Sequence, residues 1–296
     1  MVGCESCNNS KKIKRDICNI KFGTIKNIIA VISGKGGVGK STVSGLLATE
    51  LRKAGHEVGI LDADVTGPSI PRFFGVNEKR SLINPEPYTG DAVFEPVITT
   101  LGLKIMSLNL LVDKEDDPVI WTSSVVHKVL KQMYTDTKWG DLDYLIIDMP
   151  PGTGGISITI MNTFPIDGLL VVGTPQDMVS VIVKKVINMA EKLSIPMIGL
   201  VENMAYVTCT CCGEKTKLFS NKTIEQYEKY FGIPLIAELP MDLKLLESLD
   251  EGTAEEYVFK ITKYKDLFEK FMDRYKEMKE NKCNSWGEDI IVFSME

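Results

Sequence analysis

Residues 34–41 read Gly-Lys-Gly-Gly-Val-Gly-Lys-Ser, directly after the apolar run Asn27–Ser33 (NIIAVIS) and directly before a helix-like stretch, Ser41–Ala54. Strand, glycine-rich turn and helix in that order are the context in which G-x-x-x-x-G-K-[ST] acquires meaning. The glycines let backbone N–H groups turn inward around phosphate oxygens, and the helix N-terminus adds partial positive charge. Gly34, Lys35, Gly36, Gly37, Val38, Gly39, Lys40, Ser41 and Thr42 are therefore the expected nucleotide cradle. Lys40 is expected on the β- and γ-phosphates and the Ser41 hydroxyl on Mg²⁺.

The rest of the chain repeats the same alternation. Val58–Asp62, Leu103–Leu108, Tyr144–Asp148, Gly168–Gly173, Met197–Glu202 and Leu235–Glu238 read as further strands. Thr122–Tyr134, Met178–Leu193, Ile224–Phe231 and Lys260–Lys279 read as helices, Pro68–Gly75 as a short turn or helix, and the Pro-rich Leu82–Glu95 as irregular. Near-continuous Val/Ile/Leu runs belong to strands covered on both faces. The fold class is thus α/β, a doubly wound, mostly parallel sheet that places its ligand at the carboxyl ends of the strands. Residues 1–25 form a Cys-containing extension. Residues 26–280 form the nucleotide-binding domain with a Cys-pair insertion near 205–218, and 281–296 a tail.

Two of those strand ends carry acids. LIIDMPPGTGG puts Asp148 at the tip of a buried strand, where it can hold Mg²⁺ or its water. LDADVTGPS puts Asp62 and Asp64 beside the same site. Phosphoryl transfer needs one group near the metal and another to orient the attacking water. The residues alone leave open which acid does which.

Composition narrows the partners. With 34 basic and 40 acidic residues the net charge is −6, which argues against non-specific nucleic-acid binding. Apolar runs such as Ile28–Ile32 are far too short to span a bilayer, and MVGCESCNNSKKIKR has no apolar signal region. A cytoplasmic protein is expected. Seven cysteines are an odd number for a disulfide framework, and they cluster. Cys209-Thr210-Cys211-Cys212-Gly213 contains a C-x-x-C pair, Cys209 and Cys212, able to hold one edge of a metal site. A [4Fe–4S] or zinc site wants four ligands, which a symmetric dimer supplies if two pairs face each other. A zinc site, a redox pair and inert thiols are the alternatives.

Lys35, an extra lysine near the start of the phosphate loop, resembles the signature of the deviant Walker A group of P-loop ATPases, which includes the Mrp, MinD and ArsA-like proteins. From Lys26 to about Leu249 the chain resembles the Mrp/ApbC family of iron–sulfur carrier ATPases. The matching stretches are VISGKGGVGKST, LDADVTGPSIPRFFG, WGDLDYLIIDMPPGTG, GTPQD and GLVENM, followed by the Cys209–Cys212 pair. The resemblance implies an ATP-hydrolysing homodimer that delivers a [4Fe–4S] cluster to client apoproteins, with no nucleic-acid or membrane partner. It implies that Lys35 reaches the partner's nucleotide, that Asp64 positions water and that Asp62 lies nearer the metal. It also implies that Asn203 reads the adenine edge and Pro240 packs near the base. A charge supplied in trans would make hydrolysis depend on assembly, as an arginine finger does. The catalytic set implied is Lys35, Lys40 and Asp64.

The chain departs from the family at Trp121–Ser124, where many members have W-R-G-P, at Gly155, where an Asp is usual, and over Met178–Val183. Cys4, Cys7 and Cys18 lack the fuller spacing of an N-terminal cluster and are read as no stable site or a transient one. Cys283, His56 and His127 have no ligand spacing. The other readings weighed are a MinD-like positioning or regulatory ATPase and a nickel- or zinc-insertion ATPase. The acidic tail EDIIVFSME does not suit a membrane-binding helix.

Overall fold

The computed structural model describes residues 15–65, 67, 69–85, 92–112, 123–176, 181–209, 211–217 and 224–288. Cys4, Cys7, Pro68, Trp121, Thr122 and Met178 lie outside these residues. A nine-stranded sheet organises the chain. Its parallel centre contains β2 (Ile28–Ser33), β3 (Val58–Asp62), β7 (Lys104–Ser107), β9 (Tyr144–Asp148), β10 (Gly168–Gly173), β11 (Met197–Thr208) and β13 (Leu235–Pro240). The order runs β13-β11-β10-β2-β9-β3-β7, with β6 (Val97–Ile98) antiparallel to β7 at one edge. At the other end β12 (Lys215–Lys217) runs antiparallel to β11. Two short pairs, β1 (Gly23–Ile25) with β8 (Gly140–Leu142) and β4 (Ile83–Pro85) with β5 (Ala92–Phe94), lie outside this sheet.

All six residues of β2 are buried because both faces are covered. Ile28, Ala30 and Ile32 pack with residues of α3 (Ser123–Thr135), α4 (Gly155–Thr163), α5 (Val181–Lys192) and α6 (Ile224–Phe231). Ile29 and Val31 pack with α1 (Lys40–Lys53), α2 (Ile70–Phe73), α7 (Leu243–Asp250), α8 (Ala254–Lys260) and α9 (Lys265–Glu288). The chain leaves β2 through α1 to reach β3, yet β9 lies between those two strands. After β9 it crosses back over β2 to β10. That reversal opens a crevice at the carboxyl ends of β2, β9 and β3, where a doubly wound sheet takes its ligand.

Several elements differ from the reading of the sequence, which also leaves α7 and α8 without an assignment. Gly155–Thr163, with no element assigned, is helix α4. Its Ile- and Thr-rich sequence has strand composition, and the crossover from β9 to β10 overrides that propensity. Leu82–Glu95, read as irregular, contains the β4–β5 pair, tied by Glu95 N–H to Leu82 O (2.9 Å) and Ser81 Oγ to Glu95 O (2.6 Å). The helix expected over Lys260–Lys279 starts instead at Lys265, because Lys263 and Tyr264 turn their side chains onto Asp242 (2.7 and 2.9 Å). It then continues to Glu288 and includes Cys283. The strand read as Met197–Glu202 continues to Thr208, which carries the chain to the cysteines.

Candidate nucleotide site and cysteine turn

The phosphate loop joins β2 to α1, and Gly37 and Gly39 both sit at φ 80°, where glycine carries no side-chain penalty. Gly39 has a second reason to be glycine. A Cβ there would lie 2.1 Å from Asn203 Nδ2, which donates to Val38 O at 3.0 Å. Lys35 and Gly36 are exposed at the start of the loop. Below it, Gly152 of the PPGTGG loop donates its N–H to Ser33 O (2.7 Å), and Ser33 Oγ donates to Lys35 O (2.9 Å).

Lys40, at the start of α1, is 6% exposed and surrounded by acids. Its Nζ lies 2.7 Å from Asp148 Oδ2 and 3.6 Å from Asp64 Oδ2. Burial pulls its pKa down, but the charges of Asp148, Asp64 and Asp62 outweigh that and raise it. Asp148, at the end of β9, also accepts from Ser41 Oγ (2.5 Å) and from Ser44 Oγ (2.7 Å). Asp62, at the end of β3, accepts from Ser107 Oγ (3.1 Å) and from Asp64 N–H (3.2 Å). Burial, then the charge of Asp148, pushes its pKa up to about 8 against the pull of Lys40. Three carboxylates thus face one ammonium. Three hydroxyls, of Ser41, Ser44 and Ser107, stand among them, an oxygen-rich donor set that suits a hard divalent cation.

Ser44 and Ser107 are site residues that the motifs do not name. Ser44 follows Ser41 by three positions on one helix face, a spacing that offered a signal. Ser107 has none, because it reaches Asp62 only through the β3–β7 pairing. Asn203 lies on β11 and Pro240 ends β13, on adjacent strands paired at Glu202↔Glu238 and Tyr206↔Pro240. A cavity of about 500 Å³ opens beside the loop at Ser41 and Thr42, walled by Arg72, Phe73, Asn77 and Gly252.

The cysteine pair stands apart from this crevice. Beyond Glu202, the last β11 residue paired to β10, β11 continues and pairs with β12 over Tyr206–Thr208. The turn between them is closed by Cys209 N–H to Glu214 O (2.8 Å) and Gly213 N–H to Cys209 O (2.9 Å), with Gly213 at φ 75°. Cys209, Cys211 and Cys212 are all exposed and free of disulfides. The backbone N–H groups of Cys212 and Cys211, then the Cys212 thiol, lower the Cys209 pKa. Cys18 is the opposite case: half-buried, its thiol donates to Thr163 O (3.1 Å) and burial raises its pKa. Among the described residues no three His, Cys, Asp or Glu side chains enclose a metal ion by themselves.

Residues 24–276 match the family described as the NUBPL iron-transfer P-loop NTPases of the ParA group. The chain belongs to this family. A Clostridium perfringens protein named iron-sulfur cluster carrier protein is 54% identical over 282 residues, covering 91% of this chain and 99% of its own length. A protein of the same name from Methanocaldococcus jannaschii is 40% identical over 259 residues, 87% of each chain. A solved nucleotide-binding protein from Archaeoglobus fulgidus, in complex with ADP, superimposes with a TM-score of 0.68 at 40% identity. That match covers 80% of this chain and 92% of the other. As in other P-loop NTPases of the group, the sheet is α/β and mostly parallel. Among the described residues no helix is long and apolar enough to cross a membrane.

Proposed function

We propose that this chain binds and slowly hydrolyses ATP with Mg²⁺ as a homodimer, and carries a [4Fe–4S] cluster on Cys209 and Cys212 of both copies to acceptor apoproteins. The observation that carries the reading is the cysteine turn. One sulfur already accepts two backbone N–H groups, and its thiolate is favoured in a fully exposed position. Inert thiols need neither feature, and thiolate is the form that ligates iron. Family membership and the two relatives named as carriers support it over a positioning or regulatory ATPase.

At the nucleotide site, Lys40 exchanges Asp148 for phosphate oxygens. Ser41, Asp148 and Asp62 are the residues that would hold Mg²⁺, whose charge would offset that of the β- and γ-phosphates. Asp64 orients the attacking water. Lys35 of the second copy completes the charge complement, so hydrolysis waits on dimerisation. Before nucleotide arrives, burial opposes the Lys40 charge, but the carboxylates of Asp148, Asp64 and Asp62 outweigh it and hold the ammonium protonated.

The test is anaerobic reconstitution with iron and sulfide of the wild type and of a Cys209→Ala/Cys212→Ala chain, reading visible absorbance and metal content. The expected result is about four irons per dimer, lost in the variant. Zinc uptake in place of iron, or iron that survives the double substitution, would overturn the reading.

A further inference from the structure

The ladder between β11 and β13 passes from Glu202↔Glu238 to Tyr206↔Pro240. Three residues of β11, Asn203 to Ala205, therefore stand opposite Leu239 alone. At the centre of this bulge Met204 holds φ 56°, one of two side-chain-bearing residues in the left-handed region among those described. Strain of this kind persists where surrounding contacts over-determine it, and it marks places where a chain can switch. Here the surroundings are the phosphate loop. Asn203 Nδ2 donates to Val38 O, and Met204 Cε lies 3.6 Å from where a Gly39 Cβ would stand. The peptide joining Val38 to Gly39 is planar. A phosphate that draws on its N–H edge also moves the carbonyl held by Asn203.

Beyond the bulge the chain is one hydrogen-bonded unit. Tyr206–Thr208 pair with Lys215–Lys217 and Cys209 bonds to Glu214, while Lys217 Nζ to Glu238 of β13 (2.7 Å) and Met241 N–H to Tyr206 O (2.8 Å) are the ties to the sheet about which the unit would turn. Cys209 follows Met204 by five residues, an extended reach of ~17 Å, so a ~10° turn at Met204 displaces the sulfur by ~3 Å. Metal–thiolate geometry tolerates only about 0.2 Å.

We propose that the Asn203–Ala205 bulge relays the state of the phosphate loop to the cysteine turn, with Asn203 as the positioning residue and Met204 as the pivot. The relay rests on the carrier reading for its purpose but not for its existence. Nucleotide arriving at the loop re-aims the Cys209–Cys212 edge, which loosens or tightens a shared cluster.

The experiment compares the full chain with Met204→Gly, which accepts a positive φ without strain and lets the bulge swivel. Amide exchange over residues 205–217 is followed with and without a non-hydrolysable ATP analogue and Mg²⁺. Iron loss from the reconstituted dimer to ferrozine is followed under the same conditions. In the wild type the nucleotide is expected to change both rates at least ~5-fold, the lower end of ordinary site-to-site coupling. In M204G, at undiminished nucleotide affinity, the change falls below ~2-fold. If M204G fails to fold, Met204→Asn, which also tolerates this φ, is read in the same way. Wild-type exchange that ignores the nucleotide, or a variant that responds like the wild type, overturns the relay. A chain that takes up no iron at Cys209 and Cys212 overturns the carrier reading instead, and amide exchange alone then decides the relay.

Discussion

Alanine at position 39 tests the packing of the phosphate loop against β11. At φ 80° an alanine incurs left-handed strain of roughly 1–2 kcal/mol. Its methyl would also occupy the place of Asn203 Nδ2, 2.1 Å away, and push that amide off Val38 O. A buried carbonyl left without its donor costs about 1–3 kcal/mol. Together these give about 3 kcal/mol of destabilisation in the nucleotide-free protein. Urea unfolding should show a lowered midpoint with an unchanged slope, because the surface exposed on unfolding is the same. A double-mutant cycle isolates the collision. In an Asn203→Ala background the amide is already gone, so Gly39→Ala should add only the strain, about 1 kcal/mol. The coupling between the two positions should therefore exceed about 1 kcal/mol. A Gly39→Ala cost below about 1 kcal/mol, or strict additivity with Asn203→Ala, would refute the reasoning.

Asp62 gives a pH dependence of definite sign. Its folded pKa of about 8 lies above the unfolded value near 4, so the folded chain holds the extra proton and loses stability as pH rises through that interval. Asp62→Asn should flatten urea midpoints measured without nucleotide or Mg²⁺ between about pH 5 and about pH 8, and an unchanged slope would count against the assignment. Asp242 caps α7 through Lys244 N–H and Leu245 N–H and also accepts from Tyr257, Lys263 and Tyr264. Asp242→Ala should cost about 3 kcal/mol by the same unfolding assay, the sum of a lost cap and three stranded donors. Iodoacetamide should label Cys209 of the apo chain at least ~10-fold faster than Cys18 near neutral pH, read by mass spectrometry, because backbone N–H groups favour one thiolate and burial opposes the other.

The phosphate loop and its acids were legible because their chemistry is local. A glycine-rich turn between an apolar run and a helix can fold few ways, and Asp148 sits five residues along an apolar strand. What the sequence could not display was who stands beside whom. Ser107 reaches Asp62 only because β7 pairs with β3, and nothing in either segment encodes that pairing. Helix α4 was invisible for another reason: Ile156, Ile158, Thr159 and Ile160 favour a strand locally, and only the crossover makes them helical. The bulge at Met204 left no trace, because methionine gives no hint of a left-handed φ. Asn203 was singled out through its neighbours in GLVENM, and its bond to the phosphate loop depends on that hidden bulge.

Every described residue from Thr208 to Lys217 is exposed, and none contributes to either hydrophobic core. Natural drift or a designer can therefore rewrite this turn while leaving the ATP-binding chassis to fold as before. Thiol count and spacing in this turn can change with no residue of either core touched, so its chemistry is free to vary where the sheet's is not.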